Sequence, residues 1–466
     1  MIGSGIFIVS AEMSRVLGSP GYLLLAWVVT GFITVLAALS YGELAAMMPL
    51  AGGQYVYLTR AYNHFVGFLY GWTVFTVIQT GVIAAVAVAF SKFTAVIFPY
   101  FSSENILFSA GFIHVSAAQL LAISMIIFLS YINSLGVRGG KLIQRIFTTA
   151  KIIALIGIII LGLYFGFSDH TTLAGNFSHF WNAAGASFMH GKLVNGTLNG
   201  TGLVSAIGVA MVGSLFSSDA WNNVTFIAGE IKTPKRNIPL SLFYGTLIVT
   251  VLYVLTNLAY LALLPLRGSP LAEDTFGRGM QFALNDRVGV AAAAMIFGNV
   301  AAFLMAILIM VSTFGCNNGL ILSGARLYYA MAKDKLFFTK SASLNKKNVP
   351  SFALLLQAVW ASVLCLSGTY GDLLDYATFA SLLFYIITIA GIFILRKKLP
   401  DAERPYKVWG YPLTPVFYII IALAICADLL VFKTRSTGMG LLIVITGIPA
   451  YFLYRRIGEV EKSDVA

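Results

Sequence analysis

Two polar stretches interrupt runs of otherwise apolar sequence. One is Gly3-Ser4-Gly5, at the head of Ile6 to Leu17; the other is Phe216-Ser217-Ser218-Asp219-Ala220-Trp221-Asn222-Asn223, in the middle of a run from about 202 to 229. A single ammonium, Lys151, stands in the apolar context Thr148-Thr149-Ala150-Lys151-Ile152-Ile153-Ala154. The amides around Gly3-Ser4-Gly5 precede a helical run and so lie at its positive end, where unpaired N–H groups suit a carboxylate. Glycine lets a ligand reach the backbone, and the Ser4 hydroxyl adds a donor. Small residues also serve close helix packing; the second interruption favours a site over packing alone.

The elements that must hold these residues follow from composition. The chain has 466 residues, 59% hydrophobic and 10% charged, with a mean hydropathy of +0.86, whereas soluble proteins carry about 25% charged residues. Apolar runs recur at lengths that cross a bilayer, which takes about 20 residues per helix. They lie at about 6–17, 20–46, 66–96, 116–136, 143–166 and 202–229, then 238–263, 290–327, 350–368, 372–395, 413–432 and 437–454. This predicts an all-α, multi-spanning membrane protein with eleven full spans and one half-length first span. An isolated half-span leaves backbone groups unsatisfied in lipid, so a longer reading frame is expected to continue the first helix upstream of Met1. Cys316, Cys365 and Cys426 lie in or beside apolar runs, and the five histidines have no metal spacing, so no disulfide framework, metal or cofactor is expected. Nothing has the pattern of an ATP-binding loop or a catalytic triad, and no signal peptide opens the chain.

The net charge of +12 raises nucleic acid as a partner, but the distribution of charge excludes it. Of the 30 Lys and Arg, twenty fall in alternate loops and helix ends: Arg60, Arg138/Lys141/Arg145, Lys232/Lys235/Arg236, Arg326 through Lys347, Arg396/Lys397/Lys398, Arg404/Lys407 and Arg455/Arg456. Eight lie on the other side: Arg15, Lys92, Lys192, Arg267, Arg278, Arg287, Lys433 and Arg435. The bias places the first side, and the C-terminus, in the cytoplasm. The interrupted spans are the first and the sixth, equivalent positions if helices 1–5 and 6–10 form repeats of opposite topology. Such paired breaks point to a midplane binding site in a secondary transporter. Asp219 is then an intramembrane carboxylate that titrates, touches substrate or caps the half-helix beginning near Trp221; the cap is the expected role. Lys151 lies too deep for easy snorkelling, and Glu12, Glu43 and Glu230 read as helix-end or interfacial groups.

Several motifs then agree in order and spacing. Gly3-Ser4-Gly5-Ile6-Phe7 resembles the first-helix motif of the amino acid–polyamine–organocation superfamily. Ser40-Tyr41-Gly42-Glu43-Leu44, Pro49 and Gly52-Gly53-Gln54-Tyr55-Val56-Tyr57-Leu58 are similar to its loop after helix 2. Leu255-Thr256-Asn257-Leu258-Ala259-Tyr260 and Arg404-Pro405-Tyr406-Lys407-Val408-Trp409-Gly410-Tyr411-Pro412 look like the L-type amino acid transporter branch. The resemblance runs from Met1 to about Arg455.

The resemblance implies a twelve-helix fold with a 5+5 inverted repeat, its first helix here lacking the cytoplasmic half, and Na⁺-independent uptake or exchange of amino acids at the plasma membrane. The expected units are a transmembrane domain at 1–455, with repeats at about 1–166 and 202–395 and helices 11–12 at about 413–454, followed by a cytoplasmic tail at 456–466. The implied substrate site comprises Met1, Ile2, Gly3, Ser4, Gly5, Phe216, Ser217 and Asp219. Carbonyls of Met1, Phe216 and Asp219 would hold the ammonium, and the Phe216 ring would close over substrate. Lys151, Phe216 and Asn222 are the implied coupling and gating residues. In the family a lysine at the place of Lys151 looks towards helices 1 and 8, where sodium-coupled relatives bind a cation. Exchange and proton symport both remain open. The partners implied are a neutral amino acid and the lipid bilayer, the protein being a monomer or homo-oligomer. The loop at about 97–115 has no cysteine, so the disulfide-linked heavy subunit of animal relatives is not expected. Two alternatives to a carrier are an amino acid sensor, for which the short tail leaves no signalling domain, and an inactive fragment.

Overall fold

The computed structural model describes residues 1–110, 113–168, 170–189, 192–367 and 370–463, without the side chains of 110, 113, 137–146, 187–189, 192–195, 367, 372 and 457–463. The side chains of Arg138, Lys141, Arg145, Lys192 and Lys462 therefore lie outside what is described.

Helices dominate, each starting and stopping where the local sequence dictates. Helix α1 (Gly5–Leu17) ends at Gly18, whose left-handed backbone returns its N–H to Ser14 O. Ser19 then caps α2 (Pro20–Met47), accepting from Tyr22 N, with Pro20 in the first turn, where its missing N–H costs nothing. A short helix, α3 (Gln54–Ala61), lies in the loop that follows. Asn63 caps α4 (His64–Thr73), which runs through a π turn at Val74–Ile78 into α5 (Gln79–Ile97). The π turn releases a carbonyl, Thr76 O, which accepts from Trp360 Nε1 at 2.8 Å. A capping box of Ser116 and Gln119 opens α6 (Ala117–Ser134), and α7 (Val137–Ser168) and α8 (Thr171–Ser178) follow.

Helix α9 (Gly200–Ser218) stops at Asp219, which is extended, and Ala220, which is left-handed at φ 62°; a half-helix of 3₁₀ type then runs over Trp221–Glu230. Next come α10 (Pro234–Leu263), α11 (Thr275–Arg278) and α12 (Val288–Lys333). At 46 residues α12 is far longer than the roughly 20 a straight crossing needs, and it bends at Phe297–Gly298. The last four are α13 (Ser351–Ser367), α14 (Tyr370–Lys398), α15 (Leu413–Phe432) and α16 (Thr434–Ser463). Among the described residues ten helical segments are long and apolar enough to cross a membrane, and Ser351–Leu366 is a shorter apolar one. With the 13-residue α1, this matches the eleven long spans and one short one expected, α13 being shorter than foreseen. The chain is a multi-pass membrane protein.

Two antiparallel hairpins qualify the all-α expectation: β1 (Ile106–Ala110) with β2 (Ile113–Ser116), and β3 (Ala184–Met189) with β4 (Lys192–Thr197), where Ala184 pairs with Thr197. Both lie between spans, on the face that also carries the α1–α2 turn. The opposite, basic face carries α3, Glu230, Arg326 and the segment 399–412. There Glu43, at the end of α2 and 2% exposed, accepts from Arg396 Nε and Nη2 at 2.9 and 2.6 Å and from Val408 N at 2.8 Å. Arg404 Nε adds an ion pair at 3.5 Å. Glu43 is a helix-end group, as expected, but a buried one. Its carboxylate ties α2 to α14 and to segment 399–412, and this multiplicity of partners is what makes a buried charge tolerable.

Candidate functional site

The two interruptions meet. Gly5 opens α1 so close to the end of α9 that a Cβ there would stand 2.1 Å from Ser217 Oγ and 2.9 Å from Ser217 Cα. Close packing is therefore one reason for glycine at position 5. At Gly3 the nearest atom to a Cβ would be Cys316 Sγ of α12, at 3.0 Å. The first turn of α1 leaves amides without intrahelical acceptors. They border a small cavity, about 20 Å³, lined by Gly3, Ser4, Gly5, Phe216, Ser217 and Asp219 among others. That space holds a water or two, so the site is nearly closed in this conformation.

A third helix joins the two breaks. Tyr253 of α10 lies with its hydroxyl 3.1 Å from Met1 O and 3.0 Å from Ser217 O, sharing its one proton between them. One and two turns further along the same face, Asn257 accepts from Ser10 Oγ at 2.6 Å and Tyr260 donates to Ile6 O at 3.4 Å. The spacing i, i+4, i+7 puts all three side chains along the segment from Met1 to Ser10.

Lys151 of α7 is 6% exposed and donates from Nζ to Ile2 O at 2.8 Å. It does not snorkel. Helix α12 is close by, since Lys151 and Cys316 line one cavity. An ammonium thus crosses from α7 to the unwound start of α1.

Phe216 packs edge-on against Tyr370 of α14, with ring centroids 5.9 Å apart, and the Tyr370 hydroxyl lies 3.5 Å from Ser4 Oγ. Lys92 Nζ stands over the other side of the arrangement, 5.5 Å from the Tyr370 ring centre. Towards the hairpin face, Lys433 in the turn between α15 and α16 is 2.9 Å from both carboxylate oxygens of Asp375 and 3.6 Å from Glu12 Oε1. Arg15 pairs with Asp286 at 2.8 Å. These layers close the site on that side. Towards the basic face it adjoins a cavity of about 330 Å³ that reaches from Met1 and Ala220 to Glu230, Arg326 and Pro350.

The expected cap by Asp219 is not what the structure shows. Ala220 stands at the head of the half-helix, without a side-chain cap, while the Asp219 carboxylate accepts from the Tyr385 hydroxyl of α14. Burial explains the change: inside the protein a carboxylate needs a strong donor, and the Tyr385 hydroxyl supplies it. Asn222 donates to Gln54 Oε1 at 3.0 Å, and Gln54 donates in turn to Thr388 Oγ1 at 2.9 Å and Phe384 O at 3.2 Å. Gln79, first after the π turn, donates to Leu320 O at 2.7 Å. Tyr253, Tyr370, Tyr385, Gln54 and Gln79 were not legible as site neighbours. The signal was a polar tip at one position of an apolar span, which many packed helices also carry. Among the described residues no cluster of His, Cys, Asp and Glu forms a metal site.

The amino acid permease family model matches residues 1–449. The chain is 31% identical over 458 residues to the human protein named large neutral amino acids transporter small subunit 2, covering 97% of this chain and 77% of that one. It is 29% identical over 455 residues to the serine/threonine exchanger SteT of Bacillus subtilis (strain 168), covering 97% and 93%. It is likewise 29% identical over 470 residues to the mouse b(0,+)-type amino acid transporter 1, covering 99% and 87%. With two interrupted helices meeting at a nearly closed cavity and a family match spanning almost its whole length, the chain belongs to the amino acid permease family.

Proposed function

We propose that this amino acid transporter is a Na⁺-independent exchanger of neutral L-amino acids in the plasma membrane, with the basic face and the C-terminus in the cytoplasm. The observation that carries the reading is the Lys151–Ile2 hydrogen bond: a tethered ammonium satisfies the unwound start of α1 and takes the place a mobile cation would fill. The first-turn amides at Gly3, Ser4 and Gly5 receive the substrate carboxylate. Carbonyls at Met1, Phe216 and Asp219 receive its ammonium, Phe216 closes over it, and Asn222 fixes the half-helix below. Repeats at about 1–166 and 202–395 place the two breaks at equivalent positions. Exchange, rather than net uptake, agrees with a relative named as an exchanger. The work is transport and not catalysis. Cys316, Cys365 and Cys426 all sit within helices, so no disulfide-linked subunit is needed, and the carrier acts as a monomer or homo-oligomer.

The test is counterflow in proteoliposomes. Labelled L-leucine and L-serine should enter only when unlabelled amino acid is inside, equally with Na⁺ or choline outside. Uptake into empty vesicles driven by a proton gradient would replace exchange by proton symport, and a strict Na⁺ requirement would overturn the role of Lys151.

A further inference from the structure

Lys92 lies five residues before the end of α5 and is half-buried. Cβ atoms tilt towards the N-terminus of their helix, so its stem leans back into the protein. The ammonium comes to rest over the Tyr370 ring, 5.5 Å from the ring centre, inside the range of a cation–π contact. That same ring packs on Phe216 at 5.9 Å between centres, and its hydroxyl lies beside Ser4 Oγ. One aromatic ring therefore separates a fixed charge from the candidate site. The two separations taken end to end put Nζ within about 11 Å of the Phe216 ring centre.

Among the described residues no carboxylate pairs with this ammonium. Arg15 holds Asp286 at 2.8 Å, and Lys433 holds Asp375 at 2.9 Å and Glu12 at 3.6 Å. Arg287 directs its donors to Leu284 O and Lys92 O, each at 3.1 Å. The described side chains over the site thus hold one cation more than carboxylates. Deeper in, Lys151 and Asp219 oppose each other in charge, so the excess belongs to this layer. An ammonium kept inside a membrane protein without a counter-ion is costly and marks a functional position.

We infer that Lys92 is a charge filter, whose ammonium disfavours amino acids with a cationic side chain against neutral ones of the same shape; this rests on the transport reading above. Two unit charges about 10 Å apart, at an effective dielectric constant of about 20, repel enough to change an equilibrium roughly tenfold. The α-ammonium escapes most of this penalty, because it travels beside its own carboxylate and the two offset each other. A cationic side chain brings no such partner. Backbone groups at the break read only the parts common to all amino acids. Lys92 acts on what remains, by charge and not by size.

The experiment is competition against counterflow in proteoliposomes, using labelled L-leucine or L-serine, whichever exchanges faster. The competitors are L-arginine and L-citrulline, which share length and shape and differ by one charge. In the unaltered protein citrulline should inhibit at the lower concentration. In Lys92→Gln and Lys92→Met the ratio of the arginine to the citrulline inhibition constant should fall roughly tenfold. In Lys92→Arg, which keeps the charge, the ratio should stay where it was. A side chain that only packs would move both competitors together, and a ratio is indifferent to how much protein folds. An unaltered protein that binds arginine the more tightly, or a ratio that does not fall in either neutral variant, overturns the filter. If the unaltered protein exchanges neither leucine nor serine, the transport reading itself falls, and the filter with it.

Discussion

The Lys151 ammonium and the Ile2 carbonyl, 149 positions apart in sequence, meet at 2.8 Å inside the helix bundle. Helix α7 thereby holds the non-helical segment that leads into α1.

Lys151→Ala should lower the exchange rate by about tenfold, since a buried carbonyl left without its charged donor costs about 1–3 kcal/mol. The amount of folded protein should change less than the rate. Initial rates normalised to protein measured by size-exclusion chromatography check this; a normal rate in the alanine variant would make Lys151 a packing residue.

Tyr253→Phe removes the hydroxyl shared by Met1 O and Ser217 O and keeps the ring. A neutral hydrogen bond is worth about 1 kcal/mol, so the rate should fall roughly fivefold. Turnover counted per folded molecule is the measurement, and an unaffected turnover would show that the two breaks hold together without this bridge.

The two glycines should separate. Gly5→Ala drives a methyl group into the Ser217 backbone, so it should lower both thermal stability and transport. Gly3→Ala meets only the Cys316 sulfur and should be partly rescued by Cys316→Ala, as expected for residues in contact. Thermal unfolding in detergent, beside uptake, tests both; equal loss in the two alanine variants with no rescue would contradict the packing described here.

Glu43→Gln takes the carboxylate from Arg396 and Arg404. Breaking a buried pair by removing one partner costs about 3–5 kcal/mol, enough to lower the unfolding temperature by several degrees. The molecules that remain folded should still transport. A variant as stable as its parent would mean that segment 399–412 is held by packing alone.

The spans were legible because a membrane imposes one length and one composition on every crossing, and the helix ends follow local caps such as Ser19, Asn63 and Gly18. The breaks were legible because polar residues are rare enough in such runs to stand out. The bend at Phe297–Gly298 was not, since a single glycine in an apolar run is tolerated in a straight helix as well. The role given to Asp219 failed for a related reason. A cap is a local arrangement that sequence can show, whereas the Tyr385 hydroxyl arrives from α14, 166 positions away. Glu43 is the same case: its arginines lie in a distant segment, and nothing near it in sequence says that it is buried. Lys151 was singled out because its neighbours offer it so little.

The clasp at Lys433 has unequal arms. The bond to Asp375 is short, doubled and largely shielded, while that to Glu12 is longer and reaches a carboxylate half open to water. The weaker arm is the one to give way first under strain, which leaves α14 tied to the α15–α16 turn and frees α1. The gate on this side is thus hinged on one wall. Raising the ionic strength on this face, which screens the exposed arm more than the shielded one, should ease its opening without loosening the frame.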